Sequence, residues 1–169
     1  MKVSAIVAIG KGRQIGLADR IPWHIPSDLK NFKAFTMGHH LLMGRVTFET
    51  LGRGLPGRKM LILSKNKDLV VSYGVLVSTL AEALAVAHNG QDTELFIGGG
   101  EKIYELALPY CHRLYISQVD YDGPADTYFP KYEHLDWKVI EKKEFSACEK
   151  HPAWSFSILE RNDMKSVLN

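Results

Sequence analysis

The segment at positions 21–30, IPWHIPSDLK, sets one carboxylate, Asp28, among two prolines, a tryptophan and two isoleucines. If Ser27 caps a helix that starts here, Asp28 is its first residue. At about 100° per residue, Phe32 lies roughly 40° from Asp28 and Phe35 roughly 20° to its other side. The acid then shares an inward-facing stripe with two aromatic rings, with Leu29 on its flank. Two readings are open. A carboxylate in the first turn complements the helix dipole, worth about 0.3–1 kcal/mol, or about 2 when partly buried. Alternatively it is the working group of a pocket. Full desolvation raises a carboxylate pKa by roughly 3–5 units, about 4–7 kcal/mol, so a buried Asp28 favours a ligand offering N–H donors, as an amidine- or guanidine-like heterocycle does.

Several glycine-rich stretches call for testing as phosphate sites. GKGRQIG (10–16) has the spacing G-x-G-x-x-x-G and runs into a proline-containing loop. The dinucleotide fingerprint needs one residue fewer and an immediate helix. GRGLPGRK (52–59) has Arg-Lys where a phosphate loop needs Lys-Ser/Thr. LFIGGGEKIYELAL (95–108) is different: an aliphatic run meets Gly98, Gly99 and Gly100 and then a helical pattern. Such a junction lets backbone approach a ligand and aims helix N–H groups at an anion. LLMGRVTFETL (41–51) repeats it with Gly44, Arg45 and Thr47, and arginine is a forked donor for phosphate oxygens. Two such junctions suit a ligand with several phosphates. Lys65 follows the run LILS and adds charge at a third strand end, although a solvated surface lysine is the simpler reading.

The elements that must carry these groups alternate. VSAIVAI, HHLLMG, KMLILS, GVLVS, ELFIG and RLYISQVD are short runs rich in large aliphatic or β-branched residues and read as strands. Helical stretches lie between most of them, and one, TLAEALAVAHNG, carries a capping box of Thr79 and Glu82. This alternation predicts an α/β fold: a single domain with a mainly parallel central β-sheet and about four flanking helices. The last two runs, DWKVIEKKEFS and AWSFSILERN, alternate apolar and polar residues and predict a C-terminal antiparallel hairpin at the sheet edge. Ligands of such sheets bind beyond the C-terminal strand ends, which is where these motifs fall.

The 169 residues make one ordinary domain, 46% hydrophobic and 24% charged, with a formal net charge of +2. That balance, with no long basic run, does not by itself imply a nucleic-acid partner. The two cysteines form no CxxC pair, so no metal site is expected, and free thiols fit a reducing cytoplasm. No apolar run approaches the ~20 residues of a membrane span. The domain is expected over 1–161, with a polar tail at 162–169.

Taken together and in order, IGLADRIPWHIPSDLKNFK, LLMGRVTFETLGRGLPGRKMLILS, FIGGGEKIYE and DTYFP resemble dihydrofolate reductase in its short bacterial form, over residues 2–161. The resemblance implies NADPH-dependent reduction of 7,8-dihydrofolate to 5,6,7,8-tetrahydrofolate for one-carbon metabolism: hydride transfer to pterin C6 and protonation at N5. It implies that Asp28 binds the pterin's 2-amino group and N3 and assists protonation, with Ser117 bonded to its carboxylate and Trp23 beside the pterin. Ile6, Val7, Leu29, Phe32, Leu51 and Ile97 become pocket walls, joined by Tyr104. Arg58 becomes the clamp for the α-carboxylate of the glutamate tail.

For the cofactor, the same resemblance implies nicotinamide contacts at Ala8, Ile15 and Gly16. It places pyrophosphate contacts at Gly44, Arg45, Thr47, Gly99 and Gly100, and the adenosine 2′-phosphate near Leu63, Ser64 and Lys65. Residues 10–24 become a mobile lid, with Asp126 in its partner loop. A cis bond is expected at Gly98–Gly99, with one residue more than usual before Tyr104. Antifolates are implied inhibitors, and the chain is expected to be a cytoplasmic monomer needing neither nucleic acid nor membrane. A pyrimidine reductase of riboflavin synthesis and a non-catalytic nucleotide- or nucleic-acid-binding module are the rival readings. Neither needs the acid in PSDLKNF.

Overall fold

Short aliphatic runs become strands because β-branched and large aliphatic side chains fit a pleated, buried surface. The computed structural model describes residues 1–164. Its strands are β1 (Lys2–Ile9), β2 (Gln14–Gly16), β3 (His40–Gly44), β4 (Lys59–Leu63), β5 (Val75–Val77), β6 (Glu94–Ile97), β7 (Arg113–Val119), β8 (Thr127–Tyr128), β9 (Trp137–Phe145) and β10 (Trp154–Arg161). The helices are α1 (Pro26–Thr36), α2 (Arg45–Leu51), α3 (Leu80–Asn89) and α4 (Glu101–Ala107), the last running into a 3₁₀ turn at Leu108–Tyr110.

Among the described residues the main sheet has eight strands in the order β5-β4-β3-β6-β1-β7-β10-β9. The neighbours from β5 to β7 are parallel. β10 runs antiparallel to both β7 and β9, which is the predicted C-terminal hairpin. β2 and β8 pair with each other outside this sheet. Alternation along the strands divides the core. Phe32 and Phe35 of α1 and Phe48 of α2 pack with Ile6, Met43 and Tyr115 on one face. Ala83 and Ala87 of α3 and Ile103 and Ala107 of α4 pack with Val7, Leu42 and Ile97 on the other. Chain crossovers to opposite faces meet beside β6 and β1, which opens the crevice at their C-terminal ends.

Two helix starts differ in how they are capped. Thr79 caps α3 as predicted, accepting the Glu82 N–H at 3.1 Å, while the Glu82 carboxylate accepts the Ser78 N–H at 2.6 Å. Ser27, expected to cap α1, does not. The helix begins two residues earlier than expected, at Pro26, with Ile25 in the cap position and no side-chain cap. Proline's fixed φ suits the first helical position, where its missing N–H costs nothing. Asp28 is therefore the third helical residue, with its N–H bonded to the Ile25 carbonyl at 3.0 Å.

The sheet's other end is tied down by one carboxylate. Asp92, just before β6, accepts from the ring Nδ1 of His39 at 2.6 Å, and from the ring Nδ1 and backbone N–H of His40 at 2.7 and 2.6 Å. The Glu94 N–H adds a fourth donor at 3.2 Å. Burial pushes this carboxyl up, but the four hydrogen bonds outweigh it and hold its pKa well below the usual carboxylate range. β10, the last strand among the described residues, ends at Arg161, and Asn162 still bonds twice to Asp136. Of the tail expected at 162–169, residues 165–169 lie outside the described residues.

A depressed folded pKa means that Asp92 stabilises the fold above the unfolded value of 3.8 and loses that contribution as pH falls toward the folded one. Asp92→Asn should therefore lose about 2–3 kcal/mol at pH 7, the scale of charged hydrogen bonds in a buried site. The gap to the parent should narrow in acid below about pH 4. Thermal unfolding of both proteins across that range checks it.

Candidate active site

Asp28 and Ser117 meet across the crevice from distant parts of the chain. α1 delivers the carboxylate from its first turn, and β7 delivers the hydroxyl from its buried interior. Ser117 is the register partner of Ala8 on β1 and of Phe156 on β10, so its position is set from both sides. Its Oγ donates to Asp28 Oδ1 at 2.5 Å. Burial raises the Asp28 pKa above its ordinary value, and the Ser117 hydrogen bond pulls back only part of that rise.

The aromatic stripe around the acid forms as helical spacing predicts. Phe35 stacks on Phe156 with centroids 5.4 Å apart and tilts against Tyr115 at 4.9 Å. Phe32 and Trp23 pack on the same core, and Trp23 tilts against Tyr121 at 5.3 Å. Leu29 departs from the inward reading: it is 49% exposed, and Leu51 of α2 is also exposed. Both are large apolar side chains left facing solvent on the two helices of this face.

Strand alternation sorts the remaining expected walls. Ile6 faces the Asp28 side, whereas Val7 and Ile97 turn their side chains into the opposite core. Tyr104 also lies in that opposite core, yet its O–H crosses to the Ile6 carbonyl at 2.8 Å. Burial pushes the Tyr104 phenol far above its usual range, so it stays a neutral donor.

The glycine junctions close against each other. The Gly98 N–H still donates to the Leu42 carbonyl at 2.8 Å, and the Gly44 N–H donates to the Gly99 carbonyl at 2.9 Å. Gly99 has φ +106, and a Cβ there would lie 3.1 Å from the Tyr104 ring. The cis bond lies at Gly99–Gly100, not at Gly98–Gly99 as expected. Gly98 is still bonded to β3, so the chain leaves the sheet one residue later. Counted from Gly100, three residues precede Tyr104, and the apparent extra residue disappears. A Cβ on Gly100 would sit 3.2 Å from Thr47 Oγ1, and one on Gly44 would sit 3.0 Å from Ile103.

The cations differ in how they are held. Arg45 is exposed and pairs with Glu49 at 2.7 Å, one turn along α2. Glu49 was readable as an i, i+4 partner but was not assigned a role. Lys65 is exposed beyond β4, Leu63 is half-buried, and Ser64 Oγ accepts the Asn66 N–H at 3.2 Å. Arg58 is the opposite case. Its Nε and Nη1 are buried with no hydrogen-bond partner, and burial lowers its pKa. An unpaired buried guanidinium is a receptor for a carboxylate.

The loop at 10–24 meets 121–128 at several points. β2 pairs with β8, a link that neither short segment signals in sequence. The Asp126 N–H donates to the Gly16 carbonyl at 3.0 Å, and Asp126 Oδ2 accepts the Ala18 N–H at 2.9 Å. Gly16 is buried so tightly that a Cβ would fall 2.4 Å from Thr127 Oγ1, and Ile15 packs on the α3/α4 core.

This arrangement has known counterparts. The family model for dihydrofolate reductase matches residues 2–161. The dihydrofolate reductase of Bacillus subtilis (strain 168) is 35% identical over 150 residues, 89% of this chain and 88% of the relative. Dihydrofolate reductase type 3 of Salmonella typhimurium is 38% identical over 162 residues, covering 95% and 99%. The solved structure of dihydrofolate reductase from Enterococcus faecalis, complexed with NADP(H) and RAB-propyl, superposes with a TM-score of 0.87 at 32% identity, covering 96% of this chain and 97% of that one. A family match across nearly the whole chain, joined to a carboxylate sunk among the rings of α1, sets aside the riboflavin-pathway and nucleic-acid readings and makes this chain a member of the dihydrofolate reductase family.

Proposed function

We propose that Asp28, held by Ser117 at the mouth of the sheet, is the group through which this chain binds and helps to protonate dihydrofolate. As a dihydrofolate reductase the chain reduces 7,8-dihydrofolate to 5,6,7,8-tetrahydrofolate with NADPH. NADPH, when bound, supplies the hydride for pterin C6. The observation carrying the residue assignment is the pairing of half-buried Asp28 with buried Ser117 beside Phe32, Phe35 and Trp23.

A carboxylate there accepts hydrogen bonds from the pterin's 2-amino group and N3 and so fixes the ring's orientation. Its raised pKa lets it hold a proton nearer neutrality than an exposed aspartate does, which serves protonation at N5. Ile6, Leu29, Phe32 and Leu51 supply apolar surface for the ligand, with backbone from Val7 and Ile97. Tyr104 positions the Ile6 carbonyl. Trp23 borders the pterin, and the buried, unpartnered nitrogens of Arg58 suit the α-carboxylate of the glutamate tail.

The cofactor residues fit a diphosphate with a nicotinamide. At Gly44, Gly99 and Gly100 a Cβ would crowd Ile103, Tyr104 and Thr47, so the glycines let the two junctions close together; Arg45 and Thr47 flank them, and Leu63, Ser64 and Lys65 lie at the next strand end for the 2′-phosphate. Ala8, Ile15 and Gly16 lie where the lid at 10–24 covers the nicotinamide and excludes water. The catalytic domain is 1–161 with 162–169 as its tail, and the protein works as a cytoplasmic monomer that antifolates inhibit. No helix among the described residues is long and apolar enough to cross a membrane.

Asp28→Asn should cost about 10²–10⁴-fold in turnover at pH 7, the range of general acid–base assistance, with partial recovery on acidification. Near-parental turnover at every pH overturns the assignment. Because the folded pKa of Asp28 is raised, its ionised form destabilises the fold above the unfolded value of 3.8, and the penalty disappears below it. The same variant should therefore unfold at an equal or higher temperature than the parent at pH 7, and the difference should close in acid. Arg58→Ala should weaken dihydrofolate about 10–100-fold, the worth of a charge-assisted hydrogen bond. It should leave a pterin without the glutamate tail almost unaffected, and titration of both ligands compares them.

A further inference from the structure

Gln14 takes no part in the chemistry above, yet its side chain is among the few polar ones fully buried, at 4% exposure. Its amide is engaged on both sides. Oε1 accepts the Gly12 N–H at 2.7 Å, while Nε2 donates to Asp122 Oδ1 at 3.4 Å and to the Gly123 carbonyl at 3.3 Å. The backbone around it is equally confined. The Gly10 N–H donates to the Gln14 carbonyl at 2.9 Å, and the Lys11 N–H donates to the Tyr121 carbonyl at 2.9 Å. A Cβ on Gly10 would lie 2.4 Å from Gln14 Oε1 and 2.8 Å from the Tyr121 carbonyl. The two glycines at 10 and 12 thus leave room for one buried amide between the lid and the loop at 121–126.

The far end of the lid has fewer ties to the facing loop than its base. Ala18 and Asp19 have φ of 48° and 61°, a region that costs a non-glycine residue roughly 1–2 kcal/mol. Leu17 and Arg20 close this turn with backbone hydrogen bonds at 2.7 and 3.0 Å, and the turn's own tie to the facing loop is the single bond from the Ala18 N–H to Asp126, so much of the lid's hold on that loop falls to its base.

We propose that Gln14 is a positioning residue for hydride transfer: its buried amide pins the base of the lid to the 121–126 loop and so holds the lid over the nicotinamide site. This rests on the reading of residues 10–24 as the lid. The position requires an acceptor and a donor at once. Leucine fills the volume but strands the Gly12 N–H. Glutamate keeps the acceptor, loses the donor and faces Asp122 as a like charge. Protonated glutamate restores the donor. The other charged and titratable groups nearby are already engaged: Lys11 with Asp120, Arg13 with the Phe129 carbonyl, Asp126 with Ala18, and Tyr128, across the β2–β8 ladder, through its O–H to the Ala125 carbonyl.

The test is single-turnover hydride transfer in Gln14→Leu and Gln14→Glu, each divided by the parent rate from about pH 5.5 to about pH 8.5, with amide hydrogen exchange over residues 11–20. Leucine should lower hydride transfer about tenfold at every pH and quicken exchange in the lid, with both KM values nearly unchanged. Glutamate should match leucine at the alkaline end and climb to within about twofold of the parent at the acid end. A glutamate-to-parent ratio that is flat with pH overturns the proposal, as does a leucine variant altered only in melting temperature. Unchanged lid exchange removes Gln14 as the anchor. Faster exchange with unaltered hydride transfer removes the lid reading beneath it.

Discussion

A carboxylate drawn half out of water and held by a single hydroxyl is the constraint that the working end of this protein serves. One hydrogen bond to a charged group contributes roughly 1.5–3 kcal/mol, whereas full burial of a carboxylate costs more than that. Ser117 therefore cannot by itself make Asp28 an ordinary aspartate, and its pKa stays raised. The deficit left over is what the N–H groups of a pterin offset. Every nearby element serves this balance. Pro26 starts α1 early enough to bring Asp28 over the crevice, Phe35 locks the helix onto Phe156 and Tyr115, and β1 and β10 fix Ser117 between them.

The two ends of the sheet carry opposite electrostatic designs. At the N-terminal end, Asp92 has four donors, and its pKa is depressed. At the C-terminal end, Asp28 has one side-chain donor; Arg58, which leads into β4 beside His39, has buried nitrogens with none. Satisfied polar groups stabilise a fold, and unsatisfied ones await a ligand. Stability is thus concentrated at Asp92, and binding capacity is left at Asp28 and Arg58.

Much of this was legible along the chain. The six aliphatic runs became β1 and β3–β7, Thr79 capped α3, and the C-terminal alternation became β9 and β10, because burial period and capping chemistry act over a few residues. The stripe of Asp28, Phe32 and Phe35 survived the shift of the helix start, since angular spacing does not depend on which residue caps. Ser27 was misread because a hydroxyl before a helix is a common cap, and Pro26 competes for the same place. The cis bond was misplaced by one residue because three successive glycines look alike until Gly98 is seen bonded to Leu42.

The sequence by itself determined the element types, the strand–glycine–helix junctions and the one acid on an apolar helical face. All of these follow from local periodicity and from backbone chemistry within a turn or two. Local chemistry did not name Ser117, 89 positions from Asp28, as its partner: the family resemblance did, and the tertiary structure brings the two into contact. It also decided that Val7 and Ile97 face away from the acid, that Arg58 is buried without a partner, and that β2 finds β8. Those facts depend on strand order and register, set by how the whole chain buries its apolar faces, and no short stretch of residues contains that information.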